Sequence, residues 1–133
     1  MFKGEPGMSN RKPPAEEGEM QKLIERCGFE LPESYLNWLG QSNGGEGDLS
    51  VAPGWYQLWP VEEVLELNQS YEVQENLPGF FGFGSNGGGE LFAFDVRSPK
   101  QFKVFMIPFI VMNEKDAVEI ASDFASFVAA IEP

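Results

Sequence analysis

The side chains of this sequence that could do chemistry are mainly carboxylates, because the chain has one cysteine and no histidine. Without histidine it contains no Ser-His or Cys-His nucleophilic pair and no imidazole ligand for a metal ion. Glu62, Glu63 and Glu66 could supply catalytic carboxylates. Two of them, however, follow Pro60 in the first turn of a predicted helix, where negative charge stabilises the helix dipole by about 0.3–1 kcal/mol. We therefore predict no catalytic residues, no metal ion and no cofactor.

A second motif with possible chemistry is the run from Gly82 to Gly87, which matches the dinucleotide pattern G-x-G-x-x-G. In that pattern the last glycine opens a helix whose N-terminus binds pyrophosphate. Here Gly87 leads into two more glycines, Glu90 and a Phe-rich strand. The glycines are typical of a hairpin with positive-φ positions, so nucleotide binding is not predicted.

Acidic charge is the most distinctive property of the chain, with a net charge of −12. Lysine and arginine are absent between Cys27 and Val96. The acidic residues of this middle section are Glu30, Glu33, Glu46, Asp48, Glu62, Glu63, Glu66, Glu72, Glu75, Glu90 and Asp95. Such a surface should repel nucleic acid and anionic membranes and attract a basic protein.

The elements that would position these acids are helices near both ends and strands between them. Helices are predicted at 16–27, from Pro32 to Gly40, at 61–70 and from Ser122 onward, where the Ser122 hydroxyl would cap the first turn. Strands are predicted at 48–52, 55–59, 80–83 and 91–95, and the segments 102–107 and 109–112 are predicted to give one or two more. This order predicts an α+β fold with a mixed, mainly antiparallel sheet of about four to six strands, flanked by about four helices.

Composition predicts one domain at 15–133, preceded by a flexible N-terminal arm at 1–14 that is rich in Gly, Pro and Ser. The N-terminus lacks the apolar core of a signal peptide, and no apolar run reaches the length of a membrane span. We expect a cytoplasmic protein that does not bind membranes. Nothing in the sequence predicts its oligomeric state.

Several segments, in this order, resemble the SUKH superfamily, which includes a fungal cell-wall-assembly regulator and bacterial immunity proteins. The matching segments are 31–39 (LPESYLNWL), 42–45 (SNGG), 58–60 (LWP), 83–95 (FGSNGGGELFAFD) and 120–128 (IASDFASFV). The resemblance covers residues 16–131. It implies a mostly antiparallel sheet flanked by helices and, for the bacterial branch, a non-enzymatic protein that neutralises a toxin nuclease or nucleic-acid deaminase.

Charge and resemblance together predict an immunity protein that occupies the basic cleft of a toxin domain with its acidic surface. A regulatory scaffold for an endogenous protein is the alternative, and a carboxylate-based hydrolase is a third hypothesis. The candidate partner-binding residues are Glu46, Asp48, Glu62, Glu66, Glu72 and Glu75, with Tyr56 or a tryptophan as an anchor. Trp55 and Trp59 could lie in the core or at the interface.

Overall fold

The computed structural model describes residues 12–97 and 101–132. The helices of these residues are α1 (Glu17–Arg26), α2 (Glu33–Gln41), α3 (Val61–Ser70), α4 (Val73–Asn76) and α5 (Phe124–Ala129). The strands are β1 (Gly45–Asp48), β2 (Trp55–Leu58), β3 (Phe80–Ser85), β4 (Glu90–Asp95), β5 (Val104–Pro108) and β6 (Val118–Ala121). A 3-10 turn at Glu114–Asp116 precedes β6.

The six strands form one sheet that follows the order of the chain, and each neighbouring pair is antiparallel. The α+β prediction is confirmed, and the sheet of the described residues is wholly antiparallel rather than mixed. The glycine-rich run between β3 and β4 is the predicted hairpin. Its turn is held by Asn86, whose Oδ1 accepts hydrogen bonds from Gly88 N at 2.9 Å and Glu90 N at 3.0 Å.

One face of the sheet is covered by α2 and α5 and forms an aromatic core. Phe83 on β3 and Phe94 on β4 stack with ring centroids 4.2 Å apart. The Tyr35 ring of α2 lies 5.2 Å from Phe94 and 5.4 Å from Phe124 of α5. These rings are fully buried, which explains why Phe recurs at every second position of β4 and at helical spacing in α5.

The opposite face is covered in its middle by α3, which is fastened to β3 by Asn68. The buried Asn68 side chain donates to the carbonyl of Gly82 and accepts from its N–H, both at 2.8 Å. Gly82 permits this close approach because a Cβ there would lie 2.9 Å from Leu91 Cδ1. α3 and α4 contact β3. They therefore cover the middle of this sheet face and leave the part formed by β1 and β2 open.

The predicted strand at 109–112 is wrong, because these residues form a turn. β5 ends at Pro108, which lacks an N–H for further pairing, and Val111 then takes a positive φ of 54°. Ile110 and Val111 are 83% and 80% exposed. The strand that continues the sheet is β6, which the apolar pattern does not reveal because Val118 and Glu119 are also exposed.

Two further boundaries differ from the predictions. β1 is Gly45–Asp48 rather than 48–52 and shares only Asp48 with the prediction. It ends there because Leu49 bridges to Ile131 and Ser50 N donates to the Ala130 carbonyl at 2.7 Å. The cap of α5 is Asp123 rather than Ser122, since Asp123 Oδ1 accepts from Ser126 N at 2.8 Å.

The predicted arm at 1–14 falls mostly outside the described residues, which begin at Lys12. Lys12 N donates to Ser42 Oγ at 2.9 Å, and Asn43 N donates to the Pro13 carbonyl at 2.8 Å. This segment therefore lies against the end of α2.

Candidate functional site

The open part of the sheet face belongs to β1 and β2. Tyr56 points to the aromatic core, where its ring lies 6.3 Å from Phe127. Because side chains alternate along a strand, its neighbours Trp55 and Gln57 point to the opposite face. Their partners in the register are Asp48 and Glu46, and all four side chains are exposed.

A groove of about 810 Å³ runs between this open sheet face and α3. The charged residues that line it are Lys12, Glu16, Glu46, Glu62 and Glu63. Four carboxylates thus face one ammonium group, so the groove carries a net negative charge. Its volume falls within the range of small-molecule pockets, about 300–1,000 Å³, and its open shape would also admit a loop of a protein.

Neutral amides, not cations, hold two of the groove carboxylates. Asn43 Nδ2 donates to Glu62 Oε1 at 2.8 Å, and Gln57 Nε2 donates to Glu46 Oε1 at 3.1 Å. Asn43 is itself fixed, because its Oδ1 accepts from the first N–H of α3, that of Val61, at 2.6 Å. The two carboxylates are therefore oriented by amides, and within the described residues neither forms an ion pair, although Glu62 also lines a cleft with Lys22 and Arg26.

The groove also has an aromatic wall, formed by Trp59, Tyr71 and Phe109. Trp59 and Tyr71 are stacked with centroids 6.2 Å apart, and the Tyr71 and Phe109 rings lie 4.5 Å apart. Tyr71 is 43% exposed, whereas Trp59 is buried. Next to this wall is the exposed turn that carries Ile110 and Val111, so apolar and acidic surfaces adjoin.

The structure brings together three of the predicted residues and separates the others. Glu46 and Glu62 line the groove, and Asp48 lies on the same face of β1. Glu66 lines a second cleft with Lys22 and Arg26 of α1, which Glu62 borders as well, and Glu75 lines a depression with Arg26.

The cations beside Glu66 and Glu75 correct the expectation of a uniformly uncompensated middle section. α1 packs against α3, and this brings cations from an earlier part of the chain to that side of the domain. Glu72 is exposed at the corner between α3 and α4, where its φ is 55°.

Tyr56 is removed from the candidate surface, because its side chain is fully buried. It therefore belongs to the core, where strand alternation places it opposite Trp55. Trp55 is 38% exposed, and Trp59, which follows β2, is buried. The two tryptophans do not share one environment, because the Trp59 ring is buried on the α3 side of the sheet, where it stacks on Tyr71.

The hydrolase hypothesis requires a carboxyl group whose pKa is raised by burial. The groove carboxylates Glu46, Glu62 and Glu63 are exposed to solvent rather than buried. Asp95 does have a shifted pKa, but Arg97 donates to both its oxygens at 3.0 Å and holds the pKa below its usual value. Within residues 12–97 and 101–132, no group of three or more carboxylate or cysteine side chains could hold a metal ion.

The sequence reasoning missed Tyr71, Phe109 and the exposed residues Ile110 and Val111. Tyr71 and Phe109 are far apart in the chain and meet only when α3 and the turn after β5 are in place. The one usable signal was Pro108. Because proline has no N–H to donate, the strand is expected to end there, and the apolar residues after it are not expected to pair with a neighbouring strand.

A family model described as SMI1/KNR4 family (SUKH-1) matches residues 14–130. No curated protein gives a significant match. No helix among the described residues is long and apolar enough to cross a membrane. The family match spans the sheet, α1 to α5 and the groove residues from Pro14 to Phe109. The resemblance carried by the five sequence segments is thus confirmed, and the chain belongs to the SMI1/KNR4 family (SUKH-1).

Proposed function

We propose that the chain is a non-enzymatic, cytoplasmic immunity protein that neutralises a cognate toxin domain by binding it at the acidic groove. The observation that carries this proposal is the set of oriented carboxylates at Glu46 and Glu62, which accept hydrogen bonds from amides and form no ion pair within the described residues. A partner that supplies positive charge would gain charge-assisted hydrogen bonds without first breaking an ion pair of these two carboxylates with the described part of the chain.

Toxin nucleases and nucleic-acid deaminases fit this surface because they bind phosphate groups through basic clefts. The apolar residues beside the groove, Tyr71 and Ile110, would provide the desolvated centre that acidic contacts lack. A partner of this kind would bury both kinds of surface at once.

The decisive experiment is co-expression with a toxin domain encoded by an adjacent gene, with growth as the readout. Rescue by the wild type and loss of rescue by the double variant Glu46→Lys, Glu62→Lys would support the proposal. The matched control is Glu33→Lys, which reverses an exposed charge on α2, away from the groove. Failure of the wild type to rescue growth from an active toxin would refute toxin neutralisation.

Salt dependence tests the electrostatic part separately. The association rate with the purified partner should fall about tenfold or more between about 20 and 150 mM salt. If no toxin is neutralised but an endogenous protein binds the groove with this salt response, the regulatory alternative is the correct one.

A further inference from the structure

The groove carboxylates present free oxygens on their side away from the amides. In the part of the chain that the structure describes, Glu62 Oε2 and Glu46 Oε2 accept no hydrogen bond, while the Oε1 atoms are occupied. The amide donors fix the side chains, so a ligand that uses the second oxygens meets carboxylates of reduced rotamer freedom.

The aromatic wall narrows the chemistry of that ligand. Trp59 and Tyr71 are nearly parallel, with an interplanar angle of 19°, and Tyr71 is substantially exposed. A compact ammonium ion is strongly hydrated and gains little from such a wall. A guanidinium group is planar and weakly hydrated, contacts aromatic rings and pairs with carboxylates through its forked donors.

We propose that the groove takes an arginine side chain carried by a loop of the basic partner. Its guanidinium contacts the aromatic wall and donates to the free oxygens of Glu46 and Glu62. This inference rests on the proposed function and specifies the residue type that the partner inserts. A volume of about 810 Å³ exceeds one side chain, so the flanking backbone of the loop also enters.

The test uses the full chain, labelled with ¹⁵N, and three capped peptides of the form Gly-X-Gly-X-Gly, where X is arginine, lysine or citrulline. Citrulline has the shape of arginine without its charge. We expect the arginine peptide to shift the side-chain amide signals of Asn43 and Gln57 and the indole signal of Trp59. Its affinity should exceed that of the lysine peptide about fivefold or more, and citrulline should not bind.

Five variants, one of them a control, test which groups are responsible. Glu46→Gln and Glu62→Gln should each weaken the arginine peptide several-fold, whereas Glu33→Gln, with the same change in net charge, should not. Tyr71→Leu should lose the preference over lysine, and Tyr71→Phe should keep it. All are substitutions of exposed side chains, so folding is checked by the unchanged remainder of the spectrum.

The outcomes separate this inference from the proposed function. Equal affinity for arginine and lysine, or equal effects of Glu33→Gln and Glu62→Gln, would overturn the arginine site while leaving toxin neutralisation standing. If the protein prefers arginine but fails to rescue growth, the arginine site is supported and toxin neutralisation is refuted.

Discussion

Asn68 and Gly82 are joined by two reciprocal hydrogen bonds of 2.8 Å, so a helix side chain pairs with a strand as a neighbouring strand would. This contact sets the height of α3 above the sheet. It thereby sets the position of Glu62 and Glu63, which begin the same helix and form one side of the groove.

Asn68→Ala should lower the free energy of unfolding by about 2–3 kcal/mol, because it leaves the buried N–H and C=O of Gly82 without these partners. Urea denaturation measures the change. Asn76→Ala is the control, since it removes an exposed hydrogen bond to the Glu72 carbonyl and should cost less than about 1 kcal/mol. Equal losses at the two sites would contradict the role given to Asn68.

Gly84→Ala should destabilise the protein by about 2–4 kcal/mol. A Cβ at Gly84 would lie 2.6 Å from the backbone oxygen of Gln57, at the short contact between β2 and β3. Gly89→Ala, in the same hairpin, meets open space and should stay within about 0.5 kcal/mol of the wild type. Thermal unfolding of the two variants distinguishes these cases, and a tolerated Gly84→Ala would show that β2 can shift freely.

Val111→Gly should stabilise the chain by about 0.5–1 kcal/mol, because a β-branched residue at φ 54° is strained by about 1–2 kcal/mol and glycine relieves this at a smaller entropic cost. Ile110→Gly should destabilise it by up to about 1 kcal/mol, since the φ of Ile110 is not positive. Both side chains are exposed, so packing differs little between the variants. The same sign of change at both positions would argue against strain at Val111.

The ion pair of Asp95 with Arg97 should make stability depend on pH in acid. The pKa of Asp95 is lowered in the folded protein, so the unfolded chain binds the proton first as pH falls. The stabilisation is complete above the unfolded pKa of about 3.9 and is lost as pH falls through the lower folded pKa.

Asp95→Asn should therefore cost about 0.5–1 kcal/mol at pH 7, as expected for a partly exposed bidentate pair. The difference from the wild type should vanish below the folded pKa. Urea titrations at a series of pH values measure it, with Asp48→Asn as the control without an ion pair in the described residues. A cost that persists unchanged in strong acid would mean that packing, not charge, is responsible.

The sequence predicts α3 at its observed bounds, because Pro60 opens the helix and Val61, Val64 and Asn68 recur at helical spacing on its buried side. The strand β4 is readable from Phe92 and Phe94 at alternate positions, and β3 begins at the predicted Phe80 but continues to Ser85. The turn at 109–112 is signalled only by Pro108, because its composition is that of a strand and the positive φ of Val111 follows from the tertiary structure.

The candidate site is predictable only in part. The shortage of cations identifies an acidic surface and includes Glu46 and Glu62. Distance along the chain, however, does not reveal that α1 carries Lys22 and Arg26 to the neighbourhood of Glu66. The aromatic wall is also invisible in the sequence, since Tyr71 and Phe109 belong to different elements.

The bridge between Leu49 and Ile131, with the bond from Glu132 N to the Asp48 carbonyl at 2.9 Å, has a consequence for how the chain folds. Strand pairs that follow the chain, β1 with β2 among them, close short loops and form early, whereas this contact joins segments far apart in the chain and carries a larger loop-closure cost. We expect the amides of Ser50 and Glu132 to be protected from hydrogen exchange later during refolding than the amides that β1 pairs with β2. The end of the strand that carries Glu46 and Asp48 would then be anchored only when the C-terminal segment is in place.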